Sequence, residues 1–183
     1  MIEPGTRERK PENMTQDNII EWFDDFRGPN KYSFLSNFYV GEPIEFAGYT
    51  FPTGEHAFQA LKAKDKEDFH KIRLASSPGE SKFLGRTCEL REDWEKVKYD
   101  AMRAVLSAKF FRTREEAELL LQTGDKLLVE GTYWADSVWG VDLLTDLHPG
   151  RNWLGHLLMA QRAVLRSEIP RESIDQAVRE FAV

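Results

Sequence analysis

Cysteine is nearly absent from this chain: Cys88 is the only one in 183 residues. That excludes a disulfide framework and a cysteine-cluster zinc site. Histidine is scarce as well, and His56, His70, His148 and His156 are too scattered to propose a metal site. A surplus of positive charge is also missing. Against 31 acidic residues stand 25 Lys and Arg, for a net charge of −6. This argues against a long nucleic-acid footprint while leaving room for a local basic pocket. No stretch approaches the roughly 20 apolar residues that span a bilayer. The opening MIEPGTRERKPENMTQDN holds no apolar run, so no secretory signal is expected and the reading is cytoplasmic, without a membrane. What the chain does have is 41% hydrophobic and 12% aromatic residues, with five Trp and twelve Phe. That supports a sizeable core in one domain and rules out global disorder.

Hydropathy patterning predicts helices with a few short strands. Residues 1–17 are polar and read as a flexible tail. Apolar residues arrive together at Ile19, Ile20, Trp22, Phe23 and Phe26, where a short strand is expected. Residues 27–38 fit no period and read as a structured loop. Ile44, Phe46, Tyr49 and Phe51 alternate around Ala47-Gly48, a hairpin pattern. Thr53 caps a helix expected to reach about Lys64, Asp65 a second with Phe69 and Ile72 inward, and Ser77-Pro78-Gly79-Glu80 is a capping box for a third. Trp94, Val97, Ala101, Met102, Val105 and Ala108 form one apolar stripe over 92–110. Thr113 through Glu116 is another capping box, and Gly124 closes that helix. Leu127–Val129 reads as a buried strand, and 131–151 as an irregular segment of the length that is usually functional. Asn152 opens a helix carrying Leu154, Leu157, Leu158, Gln161 and Leu165. A last helix is expected over 173–182.

Four groups of residues suit chemistry. Glu55, Gln59 and Lys62 fall at i, i+4 and i+7, on one helical face. Glu55 lies in a first turn, where the positive helix end favours its charged form. That suits a carboxylate that stabilises a cation or activates water better than an acid of raised pKa. The same pattern also fits a solvated helix face. His56 has no second His four residues on, so a zinc protease is not indicated and a hydrogen-bonding core role is expected. Asp136, between aromatic residues and followed by Trp139-Gly140, fits a carboxylate at an aromatic-lined pocket for a nucleobase or ribose, or a turn Asp in a packed loop. Arg86 could bind a phosphate or be a surface cation. Gly150 to Gly155 opens a helix whose N-terminus could take an anion, with simple capping as the alternative. Cys88 reads as a small buried residue.

Taken in order, these pieces resemble NADAR (YbiA-like) domains. The resemblance is carried by Tyr32 through Tyr39 with Pro43-Ile44, by Pro52 through His56 with Gln59 through Lys62, and by Leu84-Gly85-Arg86 with Arg91 through Trp94. Lys109-Phe110, Leu128 through Glu130, Asp136 with Trp139-Gly140, and Asn152 through Gly155 with Leu158-Met159 and Arg162 complete it. It implies a mainly α, compact multi-helix single domain with a few short β-strands over 18–168; the flexible tail at 1–17 and the expected helical extension at 169–183 fall outside it. It further implies metal-independent hydrolysis of an N-glycosidic bond with no cofactor. The implied partner is a ribosylated small molecule, such as an early pyrimidine intermediate of riboflavin synthesis, or ADP-ribosylated guanine in nucleic acid. By position it assigns catalysis to Glu55, Lys62 and Asp136. Substrate binding falls to Asn37, Phe38, Arg86, Trp94, Trp139, Gly140 and Asn152. A departure is Val141-Asp142, where many relatives carry further glycine; Asp142 is expected to bear on the pocket rim. The alternative is a module that binds NAD or ADP-ribose without turnover.

Overall fold

The computed structural model describes residues 19–21, 31–133, 136–143 and 150–167. The expected tail, Trp22 to Phe26, His148 and the last helix lie outside these. The first strand, β1 (Ile19–Glu21), pairs in parallel with β4 (Leu127–Val129), Ile19 opposite Leu127. β2 (Ile44–Phe46) and β3 (Tyr49–Phe51) form the expected hairpin, Ile44 opposite Phe51. Its turn residues Ala47 and Gly48 both have positive φ, 51° and 80°, the mirror-image turn that matches the twist of paired strands.

Six helices follow among the described residues: α1 (Gly54–Ala60), α2 (Lys66–Arg73), α3 (Pro78–Thr87), α4 (Trp94–Phe110), α5 (Arg114–Leu121) and α6 (Trp153–Arg166). Four begin where a cap residue was expected, with the Thr53, Asp65, Ser77 and Thr113 side chains each accepting from a first-turn amide. The capping box at Ser77 is displaced by one residue on its return side: Glu80 Oε2 accepts from the Ser76 amide and hydroxyl. Two more short strands, β5 (Gly131–Thr132) and β6 (Val141–Asp142), pair in parallel within the segment that showed no period.

Two helices depart from the pattern. α1 stops at Ala60, four residues early. The backbone beyond it is claimed by a distant segment: Ala63 bridges Leu90, Lys64 N–H donates to Glu89 O, and Arg91 N–H donates to Lys62 O. Those bonds replace the helical ladder, so Lys62 stands just past the helix rather than on it. α4 buries more than one stripe. Val97 and Ala108 are only partly covered, whereas Ala104, Leu106, Ser107, Lys109 and Phe110 are buried beside Ala101, Met102 and Val105. The reason is its place: α4 packs against α1, α5, α6 and β2, which makes it the central element. Phe51, Phe110, Leu35, Ile72, Leu106 and Leu158 are among the largest apolar groups sealed in this core. Each such side chain contributes about 1.5–3 kcal/mol by leaving water. The result is a compact, mainly helical domain. None of the described helices is long and apolar enough to cross a membrane.

Candidate active site

The loop before the hairpin is the first wall of a cavity. A short 3-10 turn at Ser33–Leu35 buries Phe34 and Leu35 and turns the chain back over α1. Lys109, itself buried, donates from Nζ to Ser36 O at 2.6 Å. Asn37 O accepts from the Glu55 amide at 2.8 Å, and Asn37 Nδ2 donates to Met102 Sδ at 3.2 Å. Gly54 has to be glycine here: a Cβ would lie 2.6 Å from Asn37 Oδ1. The loop is thereby pinned to the first turn of α1.

α1 supplies the floor. Glu55 is 6% exposed, and its Oε1 accepts from Gln59 Nε2 at 2.7 Å. α3 crosses α1 at Gly85, where a Cβ would lie 2.2 Å from Gln59 Oε1. That close crossing brings Lys82 and Arg86, one turn apart on α3, to the edge of the same space. The cavity measures about 230 Å³. Ser36, Asn37 and Phe38 line it from the loop, Glu55, Phe58, Gln59 and Lys62 from α1 and its end, and Lys82 and Arg86 from α3. Met102, Glu130, Asp136, Trp139 and Leu154 complete the wall.

The charges inside do not behave as exposed ones. Burial pushes the Glu55 carboxyl above the usual carboxylate range, against the opposing pull of Lys82, the Gln59 hydrogen bond, Lys62 and Arg86. This corrects the expectation from helix position: desolvation outweighs the favourable helix end, because a buried carboxylate loses its water. Burial also lowers the Lys62 ammonium, with Glu55 acting in the opposite direction. Lys62 Nζ stands 5.4 Å from the Phe58 ring centre and 5.8 Å from that of Trp94. An acid displaced toward its neutral form therefore shares a cavity with an amine displaced the same way.

Asp136 combines both of its sequence-level readings. It lines the cavity, and its Oδ1 accepts from the Val138 amide at 3.1 Å and the Trp139 amide at 2.9 Å. The carboxylate thus shapes the turn that presents Trp139, whose ring meets Phe58 edge-on at 5.2 Å. Trp94, 6% exposed, packs against Phe58 outside this cavity, but it lines an adjoining cleft of about 250 Å³ together with Phe58, Lys62, Asp136 and Trp139.

Three other expected site residues are structural in placement. Gly140 lets the chain pass close to Glu130 O, which a Cβ would approach to 2.6 Å. Asn152 lies at φ 48° and makes no side-chain cap bond. Instead its Oδ1 accepts from the Glu130 amide at 3.0 Å and its Nδ2 donates to Leu128 O at 2.9 Å, fastening α6 to β4. Asp142 is buried in β6 beside Thr132, not on the cavity rim, because the parallel β5–β6 pairing turns it inward.

His56 has the expected core role. Its Nε2 faces Ala75 O at 3.2 Å, and a carbonyl only accepts, so Nε2 carries the hydrogen and Nδ1 accepts from the Thr53 hydroxyl at 2.8 Å. Burial lowers its pKa accordingly. Among the described residues, no three His, Cys, Asp or Glu side chains converge to hold a metal ion.

Sequence reasoning missed Lys82, Glu130, Phe58 and Met102 as lining groups. Lys82 and Arg86 at i and i+4 carried a usable signal, two like charges one turn apart with Gly85 between them.

The NADAR domain family model matches residues 25–166. N-glycosidase YbiA of Escherichia coli (strain K12) is 38% identical over 168 residues, covering 88% of this chain and 98% of that protein. N-glycosidase Npun_R5314 of Nostoc punctiforme is 38% identical over 141 residues, covering 74% of this chain and 87% of its own. The riboflavin biosynthesis protein VVA0006 of Vibrio vulnificus is 34% identical over 156 residues, 84% of this chain but 41% of the longer protein. The solved NMR structure of Escherichia coli YbiA superposes with a TM-score of 0.69, covering 87% of this chain and 91% of that one. A family model spanning most of the chain and a relative matched along nearly its whole length lead to one conclusion: this chain belongs to the NADAR domain family.

Proposed function

We propose that this chain, an N-glycosidase, hydrolyses the bond between a phosphorylated ribose and a nucleobase-like group without a metal ion. The observation that carries the reading is the shared cavity of Glu55 and Lys62, where burial moves both toward their neutral forms. Cleaving such a bond builds positive charge on the anomeric carbon and negative charge on the leaving nitrogen. A protonated Glu55 gives its proton to the leaving side or to the ring oxygen. The resulting carboxylate then faces the cationic carbon in a low-dielectric site, where such stabilisation counts most. A neutral Lys62 amine is a competent nucleophile, which a fully charged ammonium is not. Attack on the anomeric carbon breaks the bond to the base, whose nitrogen takes the Glu55 proton, and leaves a glycosylamine on Lys62; breaking the ring C–O bond, with the amine proton passing to the ring oxygen, converts this to an imine, which water hydrolyses to the free amine and the sugar. Asp136 aligns the ribose hydroxyls or that water through its carboxylate.

The name of the Vibrio vulnificus relative supports an early pyrimidine of riboflavin synthesis as the substrate. ADP-ribosylated guanine is the second candidate, since it presents the same ribose–nitrogen bond. The test incubates the protein and its Glu55→Gln variant, in EDTA, with a ribosylaminopyrimidine phosphate and with an ADP-ribosylated guanine oligonucleotide. Mass spectrometry reads the released base. Release by the wild type alone is expected; release by neither, with tight ADP-ribose binding, would make the chain a binding module. Borohydride under turnover should trap the sugar on Lys62, and a sugar-free protein would leave Lys62 an electrostatic partner of Glu55.

A further inference from the structure

Lys109 is a buried cation for which the bond cleavage has no use. It lies on α4, 7% exposed, and does not line the reaction cavity. An ammonium taken out of water is costly, and an apolar side chain of similar size fills such a place at less cost. The surroundings would suit one: Phe34, Ile44, Phe110 and Leu119 line a small space of about 40 Å³ beside it, together with Glu42 and Glu116. Glu116 is already engaged, by the Thr113 hydroxyl at 3.1 Å and by Arg112 at 3.6 Å. The ammonium meanwhile reaches the first wall of the cavity, where it donates to Ser36 O at 2.6 Å.

That bond is not needed to satisfy the carbonyl, because Ser36 O also accepts from the Tyr39 amide at 3.3 Å. It fixes where the loop lies. Met102 stands seven residues before Lys109, on the same face of α4, and Asn37 Nδ2 donates to its Sδ at 3.2 Å. α4 thus holds two consecutive loop residues. A thioether is a weak acceptor and an ammonium a strong donor, so Lys109 is the firmer of the two ties. From there the restraint passes on. Ser36 Oγ accepts from the Phe38 amide at 3.1 Å, and Asn37 O accepts from the Glu55 amide at 2.8 Å. Ser36, Asn37, Phe38 and Glu55 all line the reaction cavity.

We infer that Lys109 is a positioning residue: its ammonium holds the loop of Ser36 to Phe38 over Glu55, which keeps water from the acid and sets the cavity wall against the substrate. The effect on turnover rests on the N-glycosidase reading, whereas the restraint on the loop does not. Glu55 shares its cavity with Lys82 and Arg86 from α3, Lys62 from beyond α1, Glu130 and Asp136 from the C-terminal half, and neutral Met102 from α4. All of these remain when Lys109 is replaced. Loss of the restraint admits water, and water lowers a carboxyl that burial had raised. Loss of the Lys109 charge alone would raise it, so the direction of the change tells the two apart.

Lys109→Met keeps the apolar stem and removes the ammonium. Hydrogen exchange reads the restraint without turnover. In the variant the Glu55 amide should exchange about tenfold faster or more, while the Val105 and Leu106 amides in the middle of α4 keep their rates. With a ribosylaminopyrimidine phosphate as substrate, kcat should fall about 10–100-fold at a nearly unchanged melting temperature. The alkaline limb of the pH–rate profile should move to lower pH. Lys109→Arg keeps the charge and the donors, so it should restore most of kcat and the position of the limb. Lys96→Met, at an exposed lysine of the same helix, should change neither. An unchanged Glu55 amide in Lys109→Met, or a limb that stays or moves to higher pH, would overturn the inference. A Glu55 amide that exchanges in the wild type like an unprotected one would overturn it too, whether or not Lys109→Met folds. A wild type that releases no base, with the Glu55 amide still loosened in Lys109→Met, would remove the catalytic reading and leave the loop restraint standing.

Discussion

Glu55 is where the cost of function is concentrated. Its folded pKa is raised, so its favourable contribution is complete below the ordinary value of 4.5 and is lost as pH rises through the raised one. Glu55→Gln removes that burden while keeping an oxygen for Gln59 Nε2. At neutral pH the variant should therefore unfold at a higher temperature than the wild type, and the advantage should vanish toward pH 4.5. The same variant should lose turnover by about 10²–10⁴-fold, the range for removing a positioned acid–base group. A variant that is less stable at neutral pH would mean the carboxylate is well satisfied and not strained. Gln59 tunes this acid, because its hydrogen bond favours the charged form. Gln59→Leu should raise the Glu55 pKa further and move the alkaline limb of the pH–rate profile, where Glu55 loses the proton it donates, to higher pH. An unmoved limb would show that it reports some other group. Asp136 separates shape from charge: Asp136→Asn keeps an oxygen for the Val138 and Trp139 amides, and Asp136→Ala does not. Loss of activity in both, with an intact fold only in the first, is the outcome expected of a carboxylate with two duties.

At the scale of elements, α3 is set by what it lacks. Gly85→Ala would place a methyl 2.2 Å from Gln59 Oε1 and 2.9 Å from Gln59 Cβ, so the helix has to lift. Overpacking of this kind costs about 1–3 kcal/mol. Here it also pulls Gln59 from Glu55 and Lys82 from the cavity, so kcat/KM should fall more than tenfold. Gly79→Ala, in the first turn of the same helix, meets only Ser77 Oγ at 3.9 Å and should be neutral or slightly stabilising. Chemical denaturation and steady-state kinetics of the pair read both effects. The element starts were legible because capping is local chemistry: Thr53, Asp65, Ser77 and Thr113 announce their helices within four residues. The end of α1 was not, since the bonds that stop it come from Glu89 to Arg91, far along the chain. For the same reason the spacing alone puts Lys62 on a helical face, whereas it stands just past the end of α1. Lys82 was hidden because a lysine on a short amphipathic helix looks like a solvated side chain until a partner helix crosses at Gly85. Asn152 has the position of a cap, while its side-chain bonds run to Leu128 and Glu130.

For the molecule as a whole, two buried groups bend the pH dependence of stability in opposite senses. His56 has a lowered pKa, so its contribution is present above 6.5 and is lost as pH falls through the lowered value. Glu55 regains its contribution as pH falls through its raised value. The Glu55→Gln variant lacks that recovery, so its stability should fall more steeply than the wild type's between neutral pH and 4.5, as urea midpoints across the range would measure. Parallel curves would mean that exposed carboxylates dominate acid unfolding. The acidic surface and the cationic cavity wall coexist without conflict, because screening over about 8–10 Å isolates the cavity from distant surface charge.

The fastening of Asn152 carries a consequence for the order in which the molecule opens. Its two hydrogen bonds make Glu130, a cavity residue outside any strand, depend on the start of α6. Gly155 lets that helix close on Leu128 O, which a Cβ would approach to 2.1 Å. The Glu130 amide hydrogen can then exchange with solvent only when α6 lets go, despite its irregular surroundings. Deuterium uptake at that amide should keep pace with the slow amides of α6. α6 and the reaction chamber would then form one cooperative unit, assembled and lost together.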